Sequence, residues 1–105
     1  MNNTIRFFKE IASIPRESGN EEGIANYLVQ FAKARNLSYV KDQYNNVLIK
    51  KENNDLPCLI LQAHTDMVCV SDDEQFDFVK EPIEVLEKDG YLYANHTTLG
   101  ADNGI

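Results

Sequence analysis

The sequence of 105 residues contains no tryptophan, only two cysteines and few basic side chains. No apolar run approaches the ~20 residues of a membrane span, and the first residues lack the apolar stretch of a secretory signal. Ten lysines and arginines against seventeen acidic residues give a net charge of −7. Nucleic-acid binders need clustered basic residues, so this charge argues against that class. We therefore expect a cytoplasmic protein without nucleic-acid or membrane partners.

The two cysteines, Cys58 and Cys69, have no C-x-x-C spacing and lie in apolar surroundings. Buried free thiols in a reducing compartment are the favoured interpretation. A zinc-ligand role for Cys69 is the alternative, although no second thiolate is close in the sequence. The acidic stretch "SDDEQFD", residues 71–77, lacks the spacing and the glycine of an EF-hand, which favours a solvated loop over a calcium site.

Two amphipathic helices are predicted before residue 37. The first spans residues 3–14, and Pro15 closes it. Ser18 followed by Glu21 has the pattern of a capping box, which predicts the start of the second helix there. Asn36 suits a left-handed cap at its end. An apolar stripe at helical spacing supports the second helix: Ile24, Tyr27, Leu28, Phe31 and Ala32.

Short strands are predicted in the rest of the chain. "LSYVKD" and "NVLIKK" flank a turn at residues 44–46, and "CLILQ", residues 58–62, is apolar on both faces, as expected of a buried central strand. Asp89-Gly90 predicts the type I′ tip of a hairpin. This order indicates an α/β fold of helices packed on a mixed β-sheet, in one domain over residues 1–105. Since a helix is only starting near Ile105, we expect a domain truncated at its C-terminal end.

His64 and Asp66 follow the predicted central strand and share one face if the strand continues. They lie at its carboxyl end, where open α/β sheets place their ligand sites. Imidazole binds a divalent metal through one nitrogen, and a carboxylate on the other nitrogen fixes the tautomer. The alternative is a His–Asp hydrogen bond at a solvated strand end.

Asp102 lies in "LGADNGI", a turn between Gly100 and Gly104. These glycines permit a tight or positive-φ backbone, so the carboxylate could approach a metal closely. An Asp turn or a helix N-cap is the competing interpretation. The other histidine, His96, is expected at the surface.

Four segments together resemble the aminoacyl-histidine dipeptidases, also called Xaa-His or carnosinase-like dipeptidases. They are "IPRESGNEEGIANYL", "LILQAHTDMV", "FDFVKEPIEV" and "DGYLYANHTTLGADNGI". H-T-D-M-V followed by T-T-L-G-A-D-N-G is the specific part, and the resemblance covers nearly the whole chain. These enzymes belong to a clan of co-catalytic zinc exopeptidases that includes aminoacylases and tripeptide aminopeptidase.

The resemblance implies a role for three residues and a cofactor. His64 is expected to bind one metal ion, Asp66 to be the catalytic carboxylate that orients it, and Asp102 to bridge two metal ions. The peptide bond between Asp102 and Asn103 is expected to be cis. The complete site is expected to hold two zinc ions, with cobalt or manganese as alternatives. Its substrate is expected to be a dipeptide with C-terminal histidine, hydrolysed by metal-activated water.

The resemblance also implies what this chain lacks. The Glu-Glu pair with the general base, another carboxylate ligand and a late histidine ligand are expected beyond Ile105, and His96 stands where the family usually has glycine. We therefore expect the N-terminal piece of a catalytic domain, inactive alone and prone to self-association through uncovered apolar surface. A homodimer is one arrangement open to the complete enzyme. Another clan member, such as an aminoacylase or tripeptidase, and a non-catalytic α/β fragment are the alternatives.

Overall fold

The computed structural model describes residues 3–51 and 55–101, which form two helices followed by two β-hairpins. In chain order the elements are α1 (Asn3–Ala12), α2 (Glu22–Ala34), β1 (Ser38–Lys41), β2 (Val47–Lys50), β3 (Leu86–Lys88) and β4 (Tyr91–Tyr93). Within the described ranges, no helix is long and apolar enough to cross a membrane.

Helix α1 buries one face against the second hairpin. Phe8 and Ala12 are buried together with Val85, and Leu92 and Leu99 pack against this cluster. The spacing of Phe8 and Ala12 is one helical turn, so both side chains fall on the same face. The predicted helix is confirmed, although it ends two residues earlier than expected. Pro15 explains the early end, because it disfavours helical backbone at the residue before it.

The capping box predicted for α2 is wrong. The helix begins at Glu22 with Glu21 at the N-cap position, and no side chain caps it. Ser18 therefore lies three residues before the N-cap, too early to cap this helix. Instead, Glu21 Oε1 accepts a hydrogen bond from the backbone nitrogen of Gly19 at 2.7 Å. The hydroxyl of Ser18 is used elsewhere, in a contact described with the site.

The predicted end of α2 is confirmed. Asn36 has φ of 55°, the left-handed conformation that a C-terminal cap requires. Its backbone nitrogen donates to the carbonyl of Lys33 at 3.2 Å, and that of Leu37 donates to the carbonyl of Ala32 at 3.0 Å. These two bonds form a Schellman motif, which turns the chain from α2 into β1.

Both predicted hairpins are present. Strands β1 and β2 pair antiparallel, with Ser38 opposite Lys50, and α2 contacts both strands. Strands β3 and β4 also pair antiparallel, and Asp89 and Gly90 between them have φ of 53° and 80°. Two positive φ values are those of a type I′ turn, as predicted. The α/β class is confirmed, but the described residues form two separate antiparallel pairs instead of one mixed sheet, with a parallel bridge between Glu17 and Met67.

The segment predicted as a buried central strand is neither buried nor a strand in the structure. Residues 57–66 are in extended or irregular backbone, and Leu59, Ile60 and Leu61 are 83%, 78% and 88% exposed. A strand forms only when a neighbour pairs with its backbone, and in the described ranges neither hairpin pairs with this segment. The prediction of a buried central strand at residues 58–62 is therefore wrong for the structure, because the apolar composition alone does not provide a pairing partner.

The two cysteines are free, but the prediction that both are buried is wrong. Cys58 is exposed because it belongs to the same uncovered segment. Cys69 is partly buried, and its burial raises the pKa of its thiol, with Glu17 adding to the effect. Neither thiol therefore belongs to a closed core.

Self-association through the uncovered segment stays a prediction. Leu48, Leu56, Leu59, Ile60 and Leu61 line an open groove that also includes Lys50 and Lys51, and water solvates the exposed apolar side chains poorly. We expect sedimentation velocity to show association that increases with concentration and that Leu59→Lys weakens. Val79→Lys is the control, because Val79 is also exposed but lies outside the groove. A monomer at every concentration would contradict the prediction.

Candidate functional site

His64 and Asp66 are in contact. The Nδ1 atom of His64 lies 3.2 Å from Asp66 Oδ1 and 3.0 Å from the Asp66 backbone carbonyl. The side chains of His64 and Asp66 are 41% and 37% exposed, so the pair lies at the surface, at the end of the largely exposed segment formed by residues 57–66. The proximity predicted from H-x-D is therefore present, although the segment is not a strand.

The second oxygen of the Asp66 carboxylate accepts a hydrogen bond from the Ser18 hydroxyl. This hydrogen bond is the main reason why the pKa of Asp66 lies below its usual value, and His64 lowers the pKa further. Asp66 is therefore an anion at neutral pH and can only accept hydrogen bonds. Nδ1 of His64 must then carry a proton, because both oxygens near it are acceptors, and in the neutral imidazole the ring lone pair is then on Nε2.

Arg16 is a structural residue of the site that the sequence analysis missed. It is 1% exposed, and its guanidinium donates to the carbonyl of Thr65 at 3.3 Å and to that of Gly100 at 3.2 Å. Its own carbonyl accepts from the backbone nitrogen of Met67 at 3.0 Å. Arg16 thus joins the His64–Asp66 segment to the turn that leads to Asp102. No periodic pattern marks a buried arginine in a loop, so the sequence offered no signal for it.

Gly100 has the positive φ that its sequence context predicted, at +67°. A Cβ atom at this position would lie 2.7 Å from Arg16 Nη2 and 2.8 Å from Met67 Sδ. Glycine is therefore required here both for its backbone conformation and for the close approach of the guanidinium. Asp102, Asn103 and Gly104 follow, but they lie outside the described residues. The bridging role of Asp102 and the cis bond to Asn103 therefore stay predictions.

His96 is exposed, as expected, and lies in a left-handed turn. Its φ is +66°, a conformation that glycine adopts readily and that histidine tolerates better than most residues. Its Nδ1 lies 2.9 Å from Asp72 Oδ1, and its carbonyl accepts hydrogen bonds from Ser71 and Asp72. The turn thus accommodates histidine where the resembling family usually has glycine.

The His64–Asp66 pair has the donor chemistry of part of a metal site. A neutral imidazole whose other nitrogen donates to a carboxylate is the usual form of a histidine that binds zinc. The two residues therefore fit the cofactor expected from the resemblance. Over residues 3–51 and 55–101, however, no group of three or more histidine, cysteine or acidic residues converges on one point. The predicted roles of His64 as a metal ligand and Asp66 as its orienting carboxylate therefore stay predictions, and Cys69 joins no such group in the described part of the chain.

Comparison with known proteins supports the resemblance. No protein-family model matches the chain. Over 104 residues the chain is 42% identical to cytosol non-specific dipeptidase of Escherichia coli (strain K12). The match covers 93% of this chain and 21% of the Escherichia coli protein. The chain also superimposes on the crystal structure of aminoacylhistidine dipeptidase from Vibrio alginolyticus with a TM-score of 0.81 at 39% identity, covering 94% of this chain and 21% of that one. The predicted resemblance is confirmed, and the chain spans about a fifth of the length of these relatives.

Proposed function

We propose that this chain, which is homologous to about a fifth of the length of two dipeptidases, contributes metal-binding residues to a metal-dependent dipeptidase. The observation that carries the proposal is the contact of His64 Nδ1 with the Asp66 carboxylate. A surface pair of this kind has no role in the small apolar core, but it prepares an imidazole to bind a metal ion. The exposed His96–Asp72 pair has a similar contact, but only His64 and Asp66 lie in the H-T-D-M-V motif that carries the resemblance.

Each residue has a separate task in this proposal. His64 would hold a zinc ion through Nε2, and Asp66 fixes the ring tautomer and raises the basicity of the ring. Asp102 would bridge two such ions, as the resemblance implies. The chemistry that zinc supplies when bound is polarisation of the scissile carbonyl and activation of a water molecule. Cobalt and manganese accept the same nitrogen and oxygen donors, so they remain alternatives to zinc.

The substrate proposed is a dipeptide, and a C-terminal histidine is preferred because the Vibrio alginolyticus relative is named for that specificity. A broader range of dipeptides is the second candidate, because the Escherichia coli relative is named non-specific. The word cytosol in that name also supports a cytoplasmic location. Because the 105-residue chain spans about a fifth of the length of these relatives, it is proposed to be inactive alone.

Metal titration of the chain tests the ligand assignment. We expect isothermal titration with zinc chloride to detect weak binding, because a site with so few protein ligands competes poorly with water for the zinc ion. His64→Ala should weaken this binding by at least about tenfold, since it removes a ligand. His96→Ala is the matched control, because His96 is also exposed and also contacts a carboxylate, that of Asp72. Equal losses in the two variants would contradict the assignment, and tight binding of two ions per chain would show that the site is complete.

A chimeric enzyme tests the contribution to catalysis. In the aminoacylhistidine dipeptidase of Vibrio alginolyticus, the segment that superimposes on this chain would be replaced by this chain. We expect the purified chimera to hydrolyse dipeptides, His64→Ala to abolish this activity and His96→Ala to retain it. A folded chimera whose activity survives His64→Ala would overturn the proposal and favour the non-catalytic alternative.

A further inference from the structure

We propose that Ser18 is a positioning residue for the candidate metal ligand, acting through the Asp66 carboxylate. The inference rests on the proposed function, because it assigns a role to Ser18 only if His64 binds a metal ion. Ser18 Oγ donates to Asp66 Oδ2, while Asp66 Oδ1 faces His64 Nδ1. The three side chains therefore form one hydrogen-bonded series that runs from the loop after α1 to the imidazole.

The backbone holds Ser18 beside Asp66 from two directions. The backbone nitrogen of Met67 donates to the Arg16 carbonyl at 3.0 Å, and that of Ser18 donates to the Met67 carbonyl at 3.3 Å. These bonds form the parallel bridge between Glu17 and Met67. Since Asp66 directly precedes Met67, the bridge places the Ser18 hydroxyl within reach of the carboxylate without any movement of the chain.

The hydroxyl is needed because the pair it supports is open to water. Asp66 and His64 are 37% and 41% exposed, so water competes for each carboxylate oxygen. Rotation about the last side-chain bond of aspartate has only weak preferences of its own. A donor fixed on Oδ2 restrains that rotation and so keeps Oδ1 directed at the imidazole. A charge-assisted hydrogen bond of this kind is stronger than one between neutral groups.

Helix formation does not explain the serine. Helix α2 begins at Glu22 without a side-chain cap, so the Ser18 hydroxyl does not cap it. The nearby side-chain contact with the backbone is made by Glu21, whose Oε1 accepts from the backbone nitrogen of Gly19. Ser18 is also exposed, so it fills no space in the core. Ser18→Ala should therefore leave folding nearly unchanged and alter only the Asp66–His64 pair.

The ratio of His64 tautomers tests the positioning role, because it would not change if Ser18 only contributed to the stability of the fold. Long-range proton–nitrogen spectra of the nitrogen-15-labelled, metal-free chain distinguish Nδ1–H from Nε2–H imidazole, and His96→Ala assigns the two histidines. In the wild-type chain we expect His64 to carry its proton on Nδ1. The Asp66 backbone carbonyl, 3.0 Å from Nδ1, is unchanged in Ser18→Ala and still favours Nδ1–H. The variant should therefore shift the ratio of tautomers towards Nε2–H by about threefold, the effect of weakening one hydrogen bond.

Two further variants complete the test. Ser18→Thr keeps the hydroxyl and should restore the wild-type ratio. Ser13→Ala removes another exposed serine hydroxyl, which donates to the Glu10 carbonyl, and should change nothing at His64. Circular dichroism verifies that each variant is folded. An unchanged ratio in a folded Ser18→Ala variant would overturn the inference. If Ser18→Ala unfolds the chain, a ratio in Ser18→Thr that differs from that of the wild type would overturn it.

Zinc affinity separates this inference from the proposed function. In the same titration with zinc chloride, Ser18→Ala should weaken binding by up to about tenfold, the lower end of the range for groups that contact a ligand directly. If the tautomer shifts while zinc binding depends on neither His64 nor Ser18, the positioning of His64 stands and the metal role fails. If zinc binding requires His64 but the ratio of His64 tautomers is the same in Ser18→Ala as in the wild type, the proposed function stands and this inference fails.

Discussion

Gly100→Ala is expected to destabilise the chain by about 2 to 4 kcal/mol, the sum of a backbone cost and a steric cost. The backbone cost arises because alanine disfavours the φ of +67° found here. The steric cost arises because the new methyl group would lie 2.7 Å from Arg16 Nη2 and 2.8 Å from Met67 Sδ. Urea unfolding followed by circular dichroism measures the loss, which is a large part of the stability of a typical domain.

The control for Gly100→Ala separates the two costs. Gly90 also has a positive φ, +80°, but a Cβ atom there would meet no atom within 4 Å. Gly90→Ala should therefore incur only the backbone cost of about 1 kcal/mol. Equal losses at the two positions would contradict the prediction that a methyl group at position 100 collides with Arg16 and Met67.

Arg16→Ala is expected to lower the free energy of unfolding by about 3 kcal/mol or more, because it removes a buried side chain and two hydrogen bonds from a charged donor. The carbonyls of Thr65 and Gly100 would lose their bonds to the guanidinium, and the vacated space would leave a cavity. Arg16→Lys should fall between wild type and Arg16→Ala. Lysine keeps the charge, but it lacks the planar fork that spans two acceptors.

Arg35→Ala is the matched control for the arginine at position 16. Arg35 is exposed, its guanidinium carbon lies 3.6 Å from the ring centroid of Phe31, and it donates to the Phe31 carbonyl. Its loss should cost only about 0.5 to 1 kcal/mol, the usual contribution of an exposed cation–π contact. Urea unfolding of both variants gives the comparison. If Arg16→Ala is no more damaging than Arg35→Ala, the guanidinium does not join the two segments of the site.

The amino-acid sequence by itself determined the local elements. Helical spacing of apolar residues predicted α1 and α2, Asn36 predicted the left-handed end of α2, and Asp89-Gly90 predicted the tip of the second hairpin. Each of these features depends on backbone preferences and contacts between residues close in the chain. The specific motifs also sufficed to identify the resemblance to dipeptidases, and H-x-D alone suggested that His64 and Asp66 meet.

Only the tertiary structure decided the use of residues that act over long distances in the sequence. Ser18 has the local pattern of a helix cap, yet its hydroxyl bonds to Asp66, 48 residues later, because the bridge between Glu17 and Met67 brings them together. Arg16 reaches Gly100, 84 residues away, a contact that no local pattern encodes. The apolar segment at residues 58–62 shows the same limit: composition predicts a strand, but pairing partners decide whether it is buried.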